Sequence, residues 1–298
     1  MNWAGVIPAI TTPFYEDLTI DFEFFGKHCR WMMDSGCTGV VALGSLGEGG
    51  SQTLEEKRAV LASAVRALDG RGPVVAGVSA LTTLEAVQIA RVAHQVGCSG
   101  LMVLPPYVYC GDWREMKAHV AAVLEATPLS AMLYNNPVAY KTDFLPEQVA
   151  ELLAEHENLH AIKESSADVR RIAALRALTT PERLKILVGV DDLIVESIAA
   201  GATGWIAGLV NAFPVESVTL FNLASAGRID EAFALYKWFL PMLRMDTVPK
   251  FVQLIKLAQE AVGMGSERVR PPRLPLVGAE RAEALQTIEA ARSGKAGA

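Results

Sequence analysis

The sequence predicts an α/β fold, a (β/α)8 TIM barrel with a C-terminal helical extension. Three observations carry this prediction: eight short apolar runs bounded by Gly or Pro, helical patterns between most of them, and more helix after the eighth run than a barrel needs. Because the runs are apolar throughout and do not alternate, they are typical of a parallel sheet covered on both faces. Eight such strands with helical crossovers are the count of a closed barrel.

The elements follow one another in the order that this fold requires. The crossovers place apolar residues at i, i+3 and i+4 spacing, as in the stretch from Thr53 to Leu68. The shortest crossover lies between strands seven and eight and begins near Asp192. We assign residues 1–225 to the barrel and residues 226–298 to the helical extension. The eight predicted strands are GVIPAIT (5–11), GVVALG (39–44), PVVAGVS (73–79), GLMVLPP (100–106), LSAMLYN (129–135), LHAIK (159–163), KILVGV (185–190) and GWIAGL (204–209).

The composition argues against several classes of partner. With 51% hydrophobic and 20% charged residues, the 298-residue chain can bury a large core. Its formal net charge of −6 gives no electrostatic reason to expect nucleic acid or an anionic membrane as a partner. The four cysteines form no CxxC pair and the N-terminus has no basic leader, so we expect a cytoplasmic protein with free thiols. No apolar run approaches the roughly 20 residues of a spanning helix.

Polar side chains follow the predicted strands at their C-terminal ends, where barrels of this type carry their chemistry. Lys163 is the most informative, because a lysine in a barrel loses solvation, which lowers its pKa and frees the neutral amine near pH 7. Such an amine can condense with a 2-oxo acid to an iminium. The alternative is that Lys163 reaches water or pairs with Glu164. The other residues at these ends are Thr11, Thr12, Ser45, Glu48, Ser79, Tyr107, Tyr134, Asp191, Asp192, Gly208 and Asn211.

Two features are predicted to face this lysine. Tyr134 ends the neighbouring strand, where a phenol could move protons during Schiff-base formation, although it could also simply fill the barrel mouth. The glycine turn, residues 44–50 (GSLGEGG), presents backbone N–H groups of Ser45 and Leu46 that could hold a carboxylate. Ser45 could also extend a proton relay from Tyr134, whereas we expect Glu48 to brace the turn.

The stretch HENLH (156–160) spells a zinc-protease motif. That motif needs both histidines one turn apart on one continuous helix. We place the end of a helix at Asn158 and assign His160 to the following strand, so the two imidazoles would not share a helical face. We therefore expect no metal site, and a zinc hydrolase is the remote alternative.

A pair of carboxylates follows the seventh strand in GVDD (189–192). Asp191 and Asp192 could accept hydrogen bonds from substrate hydroxyls. Alternatively, Asp191 could cap the helix that begins there, and Asp192 could cap it or face solvent. For Asp191 the pattern favours neither interpretation.

Taken together, these motifs resemble the dihydrodipicolinate synthase and N-acetylneuraminate lyase family of class I, Schiff-base aldolases and lyases. The resemblance covers residues 5–215 and returns in RVRPPRLPL (268–276). It implies a (β/α)8 barrel, a homotetramer built as a dimer of dimers, and no cofactor. The motifs that carry it are GVIPAITTPF, ALGSLGEGGSQTLEEK, VVAGVS, LPPYVY, LYNNP, AIKESS, GVDD and GATGWIAG.

The resemblance implies a role for each candidate residue. Lys163 resembles the Schiff-base lysine, Tyr134 the catalytic tyrosine, and Ser45 the hydroxyl residue that bonds this tyrosine. The turn at Ser45 and Leu46 would bind the substrate carboxylate, and the main-chain carbonyl of Ile206 would lie near the reacting centre. The residues that would contact the distal, polyol part of a substrate are Gly189, Asp191, Asp192 and Gly208.

Three departures from the family pattern bear on the reaction. Ser45 and Leu46 replace two threonines of the glycine turn. A second tyrosine, which the resemblance places across a subunit interface, corresponds to Val108, one residue before Tyr109. Ala139 stands where the synthases carry an arginine for a second carboxylate. These departures argue against lysine biosynthesis.

The expected function is a Schiff-base-forming lyase acting on a 2-oxo acid such as pyruvate or on a related cyclic imine. The apolar Leu46 is similar to its counterpart in members acting on small hydroxylated substrates, among them the pyrroline-4-hydroxy-2-carboxylate deaminase of the hydroxyproline pathway. The alternatives are an authentic 4-hydroxy-tetrahydrodipicolinate synthase, another 2-oxo-acid aldolase or dehydratase of the family, and a barrel that binds a ligand without catalysis.

Overall fold

The strands of the chain form one parallel sheet. A computed structural model describes residues 1–106 and 109–294, so Tyr107 and Val108, which the sequence singled out, lie outside the described residues. The strands are β1 (Gly5–Pro8), β2 (Val40–Ala42), β3 (Val74–Val78), β4 (Gly100–Val103), β5 (Ser130–Asn135), β6 (Leu159–Glu164), β7 (Lys185–Val188) and β8 (Gly204–Ala207). Their order in the sheet is β1-β8-β7-β6-β5-β4-β3-β2.

The two ends of this sheet meet and close a barrel. Ala9 forms a parallel bridge with Val41, and the backbone N–H of Ile10 donates to the Val41 carbonyl at 2.9 Å. On the other side, the N–H of Thr38 donates to the carbonyl of Val6 at 2.9 Å. Every residue of β2, β3, β4 and β8 is buried, as expected for strands covered on both faces. The predicted (β/α)8 barrel is therefore confirmed.

Several strands end earlier than the apolar runs that predicted them. β2 stops at Ala42 because Leu43 has a φ of 65°, a left-handed conformation that leaves the strand. β4 stops at Val103, shortly before the consecutive residues Pro105 and Pro106. The remaining apolar residues of these runs form the loops at the C-terminal mouth of the barrel.

Helices cover the outside of the barrel and begin where the sequence supplies caps. Thr53 and Glu56 form a capping box at the start of α2, and Asp112 and Glu115 form one at the start of α4. The helices are α1 (Phe22–Asp34), α2 (Leu54–Leu68), α3 (Thr83–Gln95), α4 (Trp113–Glu125), α5 (Pro137–Tyr140), α6 (Pro146–Glu155), α7 (Arg170–Leu178), α8 (Ile194–Ala199), α9 (Pro214–Ser225), α10 (Ile229–Leu243), α11 (Phe251–Ala261) and α12 (Gly278–Gly294).

The last three helices follow the barrel and pack back onto it. α10 packs against α9 and α12, and α11 contacts the turn Leu209–Asn211 that follows β8. Thr11 and Gln259 join the barrel mouth to α11 through a 2.8 Å side-chain hydrogen bond. The predicted division after residue 225 falls between α9 and α10 and stays a prediction. Within the described part of the chain, none of the helices combines the length and apolarity needed to cross a membrane.

Candidate active site

A cavity of about 860 Å³ opens at the C-terminal ends of the strands. Residues from β5, β6 and β8, the glycine turn and the helical extension all line it. This is the end of the barrel at which the sequence predicted the chemistry. The predicted site residues that line the cavity are Ser45, Leu46, Tyr134, Lys163, Gly189, Asp192, Ile206 and Gly208.

Lys163 lies near the end of β6 and is only 7% exposed. Its Nζ lies 4.2 Å from the centre of the Tyr134 ring, because Tyr134 and Lys163 are direct neighbours in the β5–β6 ladder. Burial lowers the pKa of the Lys163 ammonium below its ordinary value, and the negative charge of Asp246 opposes part of this shift. Lys163 therefore has the burial and the lowered pKa that a nucleophilic amine requires.

Gly189 provides the space that the lysine side chain occupies. A methyl group placed on Gly189 would overlap Cε of Lys163 and the hydroxyl oxygen of Ser165. The residue follows β7 directly, and its N–H donates to the carbonyl of Glu164 at 2.9 Å. A glycine at this position thus lets the β7 backbone approach the lysine closely.

Glu164 faces away from the lysine that precedes it, as alternation along a strand requires. Its carboxylate accepts hydrogen bonds from Asn135 Nδ2 at 3.1 Å and from the backbone N–H of Ser166 at 2.7 Å. The alternative in which Lys163 serves as the ion-pair partner of Glu164 therefore receives no support from the geometry.

Tyr134 presents its hydroxyl group inside the same cavity. Burial raises the pKa of the phenol, and hydrogen bonding to Asn136 together with the nearby hydroxyls of Ser165 and Tyr140 offsets part of this shift. The Asn136 side-chain amide donates to the Tyr134 hydroxyl oxygen at 3.0 Å. The phenol therefore keeps its proton near neutral pH and can donate it.

The structure changes one detail of the predicted relay. Ser45 is hydrogen-bonded to the hydroxyl of Tyr140, and not directly to Tyr134 as we expected. The ring of Tyr140 stands edge-on to that of Tyr134, with 5.8 Å between the ring centres. Tyr140 lies six residues beyond Tyr134 on the short helix α5, and no motif in the sequence pointed to it.

Hydrogen bonds from two neighbouring side chains fix the shape of the glycine turn. Gln52 Nε2 and the hydroxyl of Thr12 both donate to the carbonyl of Gly47, at 2.9 Å and 2.7 Å. A side chain on Gly49 would overlap the carbonyl of Leu43, so the turn is too tight for any other residue there.

Glu48 braces this turn, as the sequence predicted. It adopts a left-handed backbone conformation, with a φ of 52°, and its carboxylate is fully buried. There it accepts hydrogen bonds from Lys256 Nζ at 2.6 Å and from the backbone N–H of Arg270 at 2.9 Å.

The two carboxylates of GVDD have different surroundings. Asp191 is fully buried and accepts hydrogen bonds from Trp205 Nε1 at 2.9 Å and from the backbone N–H groups of Gly208 and Leu209 at 3.1 and 2.8 Å. Burial raises its pKa to about 6, against the effect of these hydrogen bonds. The geometry therefore favours a role in holding the loop after β8, neither a contact with substrate nor the cap of its own helix.

Asp192, unlike Asp191, lines the cavity. It is half-buried and lies 3.5 Å from the guanidinium of Arg244. Its backbone carbonyl accepts a hydrogen bond from the hydroxyl of Tyr236 on α10. A contact between the Asp192 side chain and the distal part of a substrate remains a prediction that this position allows.

The helical extension contributes residues to the site that the sequence reading missed. Asp246, Thr247, Phe251 and Arg273 all line the cavity, and they lie more than 80 residues beyond Lys163 in the chain. Asp246, Thr247 and Phe251 lie in none of the motifs, and Arg273 lies in RVRPPRLPL, for which the sequence predicted no role in the site. Their place follows only from how the extension packs over the mouth of the barrel.

The HENLH stretch lies at a helix-to-strand junction, although the helix ends before His156 and not at Asn158 as predicted. α6 ends at Glu155, His156 follows it with an extended backbone, and His160 lies in β6 with its Nδ1 2.9 Å from the hydroxyl of Ser130. The helical geometry of a zinc-protease motif is therefore not formed. In the part of the chain that the structure describes, no group of three or more His, Cys, Asp or Glu side chains is arranged to hold a metal ion.

Comparison with known proteins decides the family. A model described as the dihydrodipicolinate synthetase family matches residues 2–291. The chain belongs to this family. Its members are class I enzymes, lyases and aldolases that form a Schiff base with a lysine, and the barrel with its buried Lys163 is of this kind.

Individual relatives match over nearly their full length. The 4-hydroxy-tetrahydrodipicolinate synthase of Methanoculleus marisnigri is 32% identical, over 90% of this chain and 92% of its own. The enzyme of the same name from Alkaliphilus oremlandii is 32% identical, over 96% of this chain and 97% of its own. Among solved structures, the dihydrodipicolinate synthase from Acinetobacter baumannii complexed with pyruvate has a TM-score of 0.91 at 26% identity, over 98% of this chain and 99% of its own.

Proposed function

We propose that this member of the family is a Schiff-base-forming lyase for a small hydroxylated 2-oxo acid or a related cyclic imine, as in a pyrroline-4-hydroxy-2-carboxylate deaminase. The observation that carries the proposal is the buried Lys163 amine, 4.2 Å from the ring of Tyr134 at the base of the cavity. An amine with a lowered pKa beside a protonated phenol is the pair that imine chemistry requires.

Each residue of the site has a separate role in the proposed reaction. Neutral Lys163 attacks C2 of the substrate, and water or the ring nitrogen of a cyclic imine leaves C2 as the protonated imine forms. Tyr134 transfers the protons of these steps, and Tyr140 and Ser45 continue its hydroxyl chain toward the glycine turn. The iminium then draws electrons away from C3, which allows a proton to leave C3 and an enamine to form. The N–H groups of Ser45 and Leu46 are placed to bind the substrate carboxylate.

The names of the curated relatives favour a second candidate, 4-hydroxy-tetrahydrodipicolinate synthase. At the position where the synthases carry an arginine, Ala139 lines the cavity. The ammonium group of the nearby Lys141 donates a hydrogen bond to the carbonyl of Val138 at 2.9 Å. Arg273 also lines the cavity, so a second carboxylate would have to bind there. A substrate panel read by product mass spectrometry separates the two functions.

Borohydride trapping tests the central claim. Incubation with pyruvate and sodium borohydride is expected to add one reduced pyruvate to the protein, and peptide mass spectrometry is expected to locate it on Lys163. Pyruvate without borohydride serves as the control. If Lys163 stays unmodified with pyruvate and with a panel of larger 2-oxo acids, the protein is not a Schiff-base enzyme.

We also propose that the enzyme is a homotetramer, a dimer of dimers, in the cytoplasm. Large apolar side chains are exposed on the segments that follow the neighbouring strands β3, β4 and β5, namely Leu81, Leu84, Tyr109 and Val138. We expect these exposed apolar side chains to be covered in a subunit interface. Sedimentation equilibrium is expected to give four times the chain mass of 32.0 kDa, and Leu84→Glu is expected to lower it. A monomeric wild type at micromolar concentration would contradict the proposal.

A further inference from the structure

Among the described residues, two that line the cavity each have a buried side-chain atom without a hydrogen-bond partner. Buried polar atoms in proteins are nearly always hydrogen-bonded, so each exception needs an explanation. Of the residues whose buried atoms are unpaired, Ser165 and Asp246 line the cavity that contains Lys163. Across the described ranges, the buried side-chain atoms without a hydrogen bond are Gln52 Oε1, His156 Nε2, Ser165 Oγ, Arg176 Nη2, Ser197 Oγ and Asp246 Oδ1.

Asp246 reaches the cavity from the helical extension. It ends the turn Arg244–Asp246 after α10, and its carboxyl group fills the space above Gly208, where a methyl group would overlap both Oδ1 and Cγ. The residue is half-buried, but its Oδ1 is shielded from solvent. A carboxyl oxygen held in a cavity without a donor or acceptor is poised to bind a polar group of a ligand.

The neighbouring carboxylates differ from Asp246 in this respect. Asp191 is saturated by Trp205 and two backbone N–H groups, and Asp192 lies beside Arg244. Among the charged groups that act on the Lys163 ammonium, Asp246 has the largest effect. Burial raises the pKa of Asp246 well above its usual range, the charges of Asp191 and Asp192 add to this, and Lys163 opposes it. The protonated form of the Asp246 carboxyl, which can donate a hydrogen bond, is therefore favoured more than in an exposed aspartate.

We propose that Asp246 binds a substrate hydroxyl group on C4 and donates the proton with which this hydroxyl leaves as water. The inference rests on the proposed imine chemistry at Lys163. It assigns a residue to one group of that proposed substrate, because 4-hydroxy-2-oxo acids and 4-hydroxylated cyclic imines opened by Lys163 place a hydroxyl two carbons from C2.

The step balances without any further reactant. The enamine on Lys163 carries a C2=C3 double bond and a hydroxyl on C4. Its electrons shift so that the C4–O bond breaks, a C3=C4 bond forms and the nitrogen becomes an iminium. The Asp246 proton joins the departing hydroxide to give water, and the Asp246 carboxylate is left beside the new cation. Hydrolysis of the iminium then frees Lys163.

Competitive trapping tests the binding half of the proposal. With borohydride and equal concentrations of 4-hydroxy-2-oxopentanoate and 2-oxopentanoate, wild-type protein is expected to form the hydroxylated adduct at least about tenfold faster, the effect of one good buried hydrogen bond. Asp246→Ala is expected to bring this ratio close to one. The rate of trapping with pyruvate, which has no C4, is measured in each protein as the reference, since Asp246 also acts on the Lys163 ammonium. Asp230→Asn, an exposed change on α10, is the matched control.

Asp246→Asn tests the proton transfer, since the amide keeps the shape and hydrogen bonding of the side chain but has no acidic proton. Proton NMR of 4-hydroxy-2-oxopentanoate is expected to show loss of the C4 carbinol signal and growth of vinyl signals with wild-type protein. This dehydration is expected to be about 10²-fold slower in the asparagine variant.

The outcomes separate this proposal from the one on which it rests. A wild-type protein that forms no pyruvate adduct refutes the Schiff-base function itself. If pyruvate is trapped, three results would overturn the role of Asp246: an unchanged ratio in Asp246→Ala, undiminished dehydration in Asp246→Asn, or release of acetaldehyde instead of water by the wild type. Loss of pyruvate trapping in Asp246→Ala would also overturn it, because Asp246 would then act in imine formation.

Discussion

Replacing Lys163 by methionine is expected to abolish imine formation and to slow turnover by about 10⁴-fold or more, as loss of a covalent nucleophile does in other enzymes. Methionine has a similar length and no charge, so the barrel is expected to fold with equal or greater stability once the buried amine is gone. Two measurements check this: borohydride trapping with pyruvate, and exchange of the pyruvate methyl protons in D₂O by NMR.

The control for this variant is Lys237→Met, which removes an exposed lysine on α10 and is expected to leave both readings unchanged. Because burial lowers the pKa of Lys163, methyl exchange in the wild type is expected to rise with pH along a limb below the ordinary pKa of lysine. Full methyl exchange by Lys163→Met, or an adduct on a different lysine, would show that a residue other than Lys163 forms the Schiff base.

The barrel could be predicted from the sequence because its strands are buried on both faces. Runs such as those around Val41 and Val75 are continuously apolar, and this pattern is typical of strands in a parallel sheet that helices cover on both faces. The ends of the strands were less predictable. Leu43 is as apolar as its neighbours, and nothing in its identity shows that its φ is 65°. Its conformation is set by the tight turn of Gly49 against its carbonyl.

The centre of the site could also be predicted, but its walls could not. Tyr134 and Lys163 end adjacent strands, so the barrel topology alone places them together. Asp246 and Tyr140 lie on segments whose paths depend on tertiary packing, and their sequence surroundings are ordinary. For Asp191 the sequence left two interpretations open, because a carboxylate after a strand can bind a ligand or the backbone. The choice depended on Trp205 and the N–H groups after β8.

The helical extension therefore belongs to the site as well as to the fold. It supplies Asp246 to the cavity wall, and Lys256 on α11 contacts the glycine turn. The Lys256 ammonium lies 2.6 Å from Glu48 of the glycine turn and 4.3 Å from the centre of the Phe14 ring. Because the extension contacts the turn that presents Ser45, we expect its packing to affect the substrate carboxylate site proposed there.

Lys256→Met is expected to lower the free energy of unfolding by about 3–5 kcal/mol, the usual cost of leaving one charge of a buried ion pair without its partner. The side chains of Lys256 and Glu48 are 2% and 0% exposed, so water cannot replace the lost ammonium. Burial lowers the pKa of Lys256 to about 8, which leaves it mainly protonated at pH 7. Urea unfolding at pH 7 measures the loss.

The double variant Glu48→Gln/Lys256→Met distinguishes the stranded charge from the lost packing. Removing both charges takes away the desolvation cost together with the attraction, so the double variant is expected to be more stable than Lys256→Met. Lys250→Met breaks the exposed pair with Glu280 in the same extension and is expected to cost at most about 1 kcal/mol. If Lys256→Met is no more costly than Lys250→Met, the glycine turn does not depend on this ion pair, and the extension shapes the site through Asp246 and its other contacts alone.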